Sequence, residues 1–202
     1  METKKEAVDT SAETRWEKSN KSYLNYLNYL DKKKDRFDLT FIDLLYISNF
    51  KGGNATIHEE EDDINRKLKS YTEKLREMNT LYGGKSLRDL TDSEINTLID
   101  KIKEVCDLTK KEGDTNIDGF SVSYLSALLN AYFPDLIPII DRRVLINLGL
   151  VKEKDIDSTV HIKNIYAHYG ELIREFARLM KDDKRSMREI DRSFFILKLN
   201  VV

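Results

Sequence analysis

Cysteine is almost missing from this chain, and that scarcity narrows the field before any motif is read. Cys106 stands alone among 202 residues, so neither an internal disulfide framework nor a multi-cysteine zinc site can be built. The three histidines, His58, His161 and His168, are scattered. Their spacing fits no zinc motif, and neither a metal nor a cofactor is expected. Two prolines and eight glycines leave little material for linkers. No apolar run approaches the ~20 residues of a membrane span, and the lysine-rich, acidic N-terminal stretch lacks the apolar centre of a signal peptide. A soluble, cytoplasmic protein that does not enter membranes is the expectation. An excess of positive charge is absent too: the formal charge is −2 and the isoelectric point about 6.0. No global field draws in nucleic acid, so any contact with it must come from a local patch.

What is present points to helices. Charged residues make up 35% of the chain and hydrophobic ones 40%, a balance typical of amphipathic helices with solvated faces. The length suits one domain or two small lobes. Residues 1–10 are polar and read as a flexible N-terminus. From Ser11 to Lys34, Trp16, Tyr23, Leu24, Tyr26, Leu27 and Leu30 recur at spacings of three and four. The phrase YLNYLNYL reads as core packing in preference to a base-stacking platform, because this spacing buries its rings. Lys32, Lys33 and Lys34 then suit a helix C-terminus. Leu39 to Phe50 is apolar nearly all round and reads as a buried helix. It stops at Lys51, Gly52, Gly53 and Asn54, where the two glycines serve either as a C-cap or as a place for close backbone approach to a ligand.

A charged helix follows from Glu59 to Leu81, with Ile64, Leu68, Tyr71, Leu75 and Met78 as its inner stripe. Thr91 and Glu94 form a capping box that starts a helix running to Lys110. Cys106 lies on its apolar stripe and reads as inert core. A long helix is expected from Ser158 to Met180 and a last one from Ser186. No strand pattern is convincing.

The most informative stretch runs from Gly113 to Leu150. Both prolines, Pro134 and Pro138, lie in it and bracket an apolar turn between two helices. Proline disfavours helix in the residue before it, so the first helix should end near Phe133 and the next begin after Pro138. Asp141 follows Leu136, Ile137, Ile139 and Ile140 and falls near that helix start. It is either an N-cap or a carboxylate held at the lip of a cleft, and the residues alone leave both open. Upstream, Gly119 sits in a hairpin, Ile117 to Val122, that opens a helix at Ser121. Such a start is either an ordinary connection or a phosphate site, with Ser121 and Ser123 adding hydroxyls. Arg142 and Arg143 follow Asp141; one suits pairing with it and the other suits phosphate.

From Ile117 to Val144, the order of hairpin glycine, apolar helix, proline turn and aspartate resembles the helix-hairpin-helix Gly/Pro/Asp superfamily of DNA glycosylases, and in particular 8-oxoguanine glycosylase (OGG)-like bacterial proteins. FPDLIPIIDRRV carries most of the likeness; SNFKGGN at Ser48 to Asn54 and REIDRSFFIL at Arg188 to Leu197 are compatible with it. The resemblance implies an all-α fold over residues 11–202, two lobes with a cleft between them. It also implies duplex DNA bound through the hairpin, a nucleotide turned out of the stack and its N-glycosidic bond cleaved. Asp141 matches the catalytic aspartate and Gly119 the hairpin glycine. Ser121, Ser123, Lys51, Gly52, Gly53, Asn54, Arg142 and Arg143 then surround the strand.

Departures from the family pattern qualify this. No lysine occurs between Lys111 and Lys152, where bifunctional members carry a Schiff-base lysine, so a monofunctional glycosylase is implied. Ser121 replaces the usual second glycine, the proline-to-aspartate turn is one residue longer, and the iron–sulfur cysteines are absent. The alternative is a non-catalytic helical module that binds nucleic acid or protein and keeps the fold.

Overall fold

The computed structural model describes residues 7–52, 58–157 and 162–199. Gly53, Asn54, His161 and the expected helix start at Ser158 lie outside the described residues, as do residues 1–6. The described chain is all-α, with eight helices: α1 (Thr10–Leu30), α2 (Phe41–Phe50), α3 (Glu61–Tyr82), α4 (Asp92–Asp107), α5 (Val122–Tyr132), α6 (Arg142–Asn147), α7 (Ile165–Asp182) and α8 (Met187–Phe195). Extended pairing among the described residues is limited to isolated bridges between Val8 and Leu197 and between Ile156 and Ile162. No helix among them is long and apolar enough to cross a membrane.

The architecture follows from one short helix that has no polar face. In α5 every residue from Leu125 to Tyr132 is buried, including Ser126 and Asn130. A helix apolar all round must be enclosed, and both α1 and α2 pack on it. The aromatic phrase of α1 supplies that packing: Tyr23, Tyr26 and Leu30 are buried, whereas Leu24 is 48% exposed. Core packing is therefore the right reading of YLNYLNYL, although Leu24 does not share it. In α2, Ile42 and Leu45 face outward, so this helix is buried on one side only. The stripe of α3 is buried as its spacing predicts, from Ile64 through Leu68, Tyr71 and Leu75 to Met78.

Local signals hold at α4 and fail at the end of α1. Thr91 N–H donates to Glu94 Oε2 at 2.9 Å and Glu94 N–H to Thr91 Oγ1 at 3.3 Å, the reciprocal capping box expected. By contrast, α1 ends at Leu30, short of Lys34. Lys33 turns inward instead and donates to both oxygens of Asp43, at 3.1 and 2.9 Å. Asp43 is fully buried and also accepts from Tyr26 Oη at 3.0 Å and Thr40 N–H at 2.8 Å. Burial and the neighbouring Tyr132 and Asp43 push the Tyr26 hydroxyl well above the ordinary tyrosine range, keeping it a donor.

Residues 7–9 are also tied down. Asp9 caps α1, accepting from the N–H groups of Ser11 and Ala12, and pairs with Arg143 at 2.9 Å. Further on, α7 begins at Ile165 with Asn164 in the left-handed region, φ 51°, later than the pattern from Ser158 predicts.

Candidate functional site

The proline turn is built as expected and is held by buried polar side chains. Its carbonyl and amide groups are out of water and need partners. Asn130 Nδ2 donates to Ile137 O at 2.7 Å, and Asn130 Oδ1 accepts from Tyr23 Oη at 2.6 Å. Ile140 N–H donates to Ser126 Oγ at 3.0 Å, and Tyr169 Oη to Pro138 O at 3.2 Å. Three helices thus fix the segment that carries Asp141.

Asp141 lies at the mouth of a solvent-open pocket of about 610 Å³. Its neighbours there come from three distant stretches: Trp16 and Ser19 on α1, Phe50, Lys51 and Gly52 at the end of α2, and Arg188, Asp191 and Phe195 on α8. The three phrases SNFKGGN, FPDLIPIIDRRV and REIDRSFFIL therefore meet at one place. Asp141 is the α6 cap, its carboxylate accepting from Arg143 N–H at 2.8 Å, and its side chain is 28% exposed on the pocket wall.

Lys51 forms a long ion pair with that carboxylate. Its Nζ lies 4.0 Å from Asp141 Oδ2 and donates to Ile140 O at 3.1 Å, with the side chain only 12% exposed. Ser19 Oγ donates to Phe50 O at 2.7 Å and Asn49 Nδ2 to Ser22 Oγ at 3.0 Å, pinning the end of α2 to α1. Gly52 has φ 99°, a conformation that glycine adopts without Cβ strain, and its N–H closes the helix on Asn49 O at 3.2 Å. Burial pushes the Lys51 ammonium below the ordinary lysine range, and the Asp141 charge works against that shift.

The wall opposite is a cation held between rings. The Arg188 guanidinium lies 4.9 Å from the ring centres of Trp16 and Tyr23 and 5.6 Å from Phe50. Arg188 donates to Asp191 Oδ2 at 2.7 Å and to Asn20 Oδ1 at 3.1 Å. Asp191 is 5% exposed. Burial drives its pKa upward against the pull of Arg188, and the nearby Asp141 charge adds to the rise. Its Oδ1 and the Arg188 Nε are buried without hydrogen-bond partners among the described residues.

Other expected site residues lie elsewhere or are engaged. Gly119, φ 80°, and Ser121 are exposed at the hairpin and do not line the pocket. Ser123 Oγ donates to Ile140 O at 3.4 Å, linking the first turn of α5 to the residue before Asp141. At the hairpin the Asp118 N–H is taken by Glu59 Oε1 at 2.6 Å, and the same carboxylate pairs with Lys67.

Arg143 is engaged within the chain: its guanidinium donates to Phe195 O at 2.9 Å, Leu197 O at 2.7 Å and Asp9 Oδ2 at 2.9 Å, so it clasps residues 7–9 to the end of α8. Arg142 is exposed at the start of α6. His168 pairs with Glu171 at 3.0 Å.

Sequence reasoning missed Trp16, Arg188 and Asp191 as a cluster. The available signal was an aspartate on the inner face of α8, directly after the buried Ile190 and three residues after an arginine that itself follows the buried Met187. A charge on an apolar stripe needs a partner or a purpose. Comparison with family models, curated proteins and solved structures finds no match for this chain.

Proposed function

We propose that this protein binds DNA and excises a damaged or modified base, with Asp141 as the catalytic carboxylate and a helix-hairpin-helix glycosylase-like arrangement around it. The observation that carries the reading is the half-open position of Asp141 on a pocket with aromatic walls. About 610 Å³ falls within the roughly 300–1,000 Å³ of small-molecule sites, large enough for one extrahelical nucleotide. Trp16 and Phe195, partly exposed on the pocket wall, offer ring surface for a base, and Arg15 and Lys18, exposed on α1, offer charge for phosphate.

N-glycosidic cleavage builds positive charge on the sugar, and a fixed carboxylate beside it lowers that barrier most where water is scarce. Asp141 meets this need because its cap bond to Arg143 N–H fixes its direction while one face stays open. The test is incubation with duplexes carrying a panel of damaged or modified bases, followed by hot alkali. Strand breaks that vanish in Asp141→Asn are expected. No breaks across the panel, or breaks that persist in Asp141→Asn, would remove the enzymatic reading.

A non-catalytic nucleic-acid-binding module is the second reading. It draws on the Glu59 carboxylate at the hairpin N–H and the inward-turned Arg143. Failure to associate with DNA even at low salt excludes both readings, since phosphate contacts are strongest there.

A further inference from the structure

Charge is spread unevenly around the pocket. Four cations line it, Arg15, Lys18, Lys51 and Arg188, against two carboxylates, Asp141 and Asp191, an excess of two positive charges in a chain whose formal charge is −2. We propose that the pocket binds a heterocyclic phosphate monoester, a nucleoside monophosphate free in solution or at the phosphorylated end of a strand, with its phosphate on the turn of α1 that carries Arg15 and Lys18. Such a ligand occupies the same pocket as the excision reading but needs neither duplex DNA nor a broken glycosidic bond.

The excess belongs to α1. Asp141 lies 4.0 Å from Lys51 and Asp191 is bonded to Arg188 at 2.7 Å, so each carboxylate of the pocket already faces a cation. Arg15 and Lys18 are what remains, exposed on one helix three residues apart. Of the two acidic residues of α1, Glu13 is bonded to Arg192 and Glu17 does not line the pocket. Residues at that spacing are neighbours on a helix surface, about 5–6 Å apart at Cβ, so both side chains can close on one compact dianion.

A phosphate monoester carries about −1.5 to −2 charge at neutral pH and three acceptor oxygens, which matches two cations on a single turn. A phosphodiester inside a strand brings one negative charge, and an uncharged base brings none. The walls indicate the rest of the ligand. Trp16 and Phe195 are partly exposed there, and ring surface of this kind suits a flat body. Arg188 Nε and Asp191 Oδ1, from two lining residues, are buried without hydrogen-bond partners among the described residues. Native interiors rarely leave such groups unmet, and a heterocycle carries donors and acceptors on its edge where a hydrocarbon ring carries neither.

The cationic turn is also held in place. Arg15, Lys18, Ser19 and Ser22 all line the pocket and follow one face of α1. Ser19 Oγ donates to Phe50 O and Ser22 Oγ accepts from Asn49 Nδ2, so the same stripe that carries the charge is fastened to the end of α2. A site mounted on two fastened helices loses little freedom when a ligand enters.

Trp16, the one tryptophan of the chain, reports on its own wall. Its fluorescence is followed, with calorimetry as an independent measure, while the full chain is titrated with deoxynucleoside 5′-monophosphates, the parent nucleosides, the methyl phosphodiesters of the same nucleotides and inorganic phosphate. A monophosphate is expected to bind on the order of tenfold or more tighter than each of the other three, and Arg15→Gln/Lys18→Gln is expected to abolish that advantage. Both residues are exposed, so the double variant should fold, and Arg15→Lys/Lys18→Arg, which keeps both charges, should retain binding. No binding of any monophosphate, equal affinity for the nucleoside, the diester or inorganic phosphate, or an advantage that persists in the glutamine variant would overturn the proposal. A short single strand with and without a 5′-phosphate separates the two sources: tighter binding of the phosphorylated strand than of the free nucleotide assigns the strand end, and the reverse assigns the free nucleotide. Monophosphate binding without strand breaks on the lesion panel removes the excision reading and keeps this site, and strand breaks without a preference for the monoester do the opposite.

Discussion

Exchanging Asp141 for asparagine or for alanine separates two tasks that one side chain performs. As the α6 cap, Asp141 accepts from Arg143 N–H at 2.8 Å. Asparagine caps about as well as aspartate, whereas alanine at an N-cap costs about 0.5–2 kcal/mol. The ion pair with Lys51 is long, 4.0 Å, and its partners are 12% and 28% exposed, so its loss in either variant costs at most about 1 kcal/mol. Asp141→Asn should therefore lose no more than about 1 kcal/mol, and Asp141→Ala further stability up to a total of about 3 kcal/mol. Base release should behave differently. Both variants lack the fixed negative charge, and a drop on the order of a hundredfold or more is expected in each, the scale seen when one preorganised electrostatic group is removed. Urea unfolding with an unchanged slope gives the first quantity, and single-turnover base release gives the second. If asparagine destabilises as much as alanine, the cap assignment is wrong. If asparagine releases base at the wild-type rate, the catalytic assignment is wrong.

Asp43→Ala leaves the Lys33 ammonium, 9% exposed, without its counter-charge and leaves Tyr26 Oη and Thr40 N–H without an acceptor; a loss of about 3–5 kcal/mol in chemical denaturation is expected, with only partial recovery in a Lys33→Met/Asp43→Leu double variant, which removes the unpaired charge but not the two unmet donors. Asp9 has its carboxyl held below the ordinary range chiefly by the Ala12 N–H, against the opposing effect of burial and with Arg143 and the Ser11 N–H assisting. A depressed carboxylate contributes stability above its unfolded pKa and loses it as pH falls through the folded value. Amides near the Val8–Leu197 bridge should therefore lose exchange protection in acid below the usual carboxylate range, and Asp9→Asn should abolish that dependence. The Cys106 thiol is 1% exposed and burial pushes its pKa up to about 12, so it should resist an aromatic disulfide reagent at neutral pH until the chain is unfolded.

Much of the fold was legible because its signals are local. The Thr91–Glu94 box, the stripe of α3 and the proline limits on α5 each depend on residues a few positions apart, and each appears where the pattern puts it. The misreadings come from long-range partners. Lys32, Lys33 and Lys34 resemble a helix end, but Asp43 draws Lys33 inward and the helix stops before them. Arg143 looks like a phosphate contact in sequence, yet its guanidinium is taken up by Asp9, Phe195 and Leu197, each more than fifty positions away. At the candidate site, Asp141 and Lys51 were found through a carboxylate after an apolar turn and a lysine before glycines. Trp16, Arg188 and Asp191 were not, because nothing in either stretch reveals that α1 and α8 face each other.

The clasp made by Arg143 has a consequence for when the molecule becomes competent. The pocket takes one wall from α1, made early by the ribosome, and another from α8, made late, and the arginine that joins them lies two residues after Asp141. A nascent chain can bury α5 against α1 and α2 well before α8 emerges, but Trp16 then has no Arg188 to lie against. The pocket is thus incomplete until α8, which ends at Phe195, has been made, and a half-made copy carries the Asp141 carboxylate without the wall that encloses it.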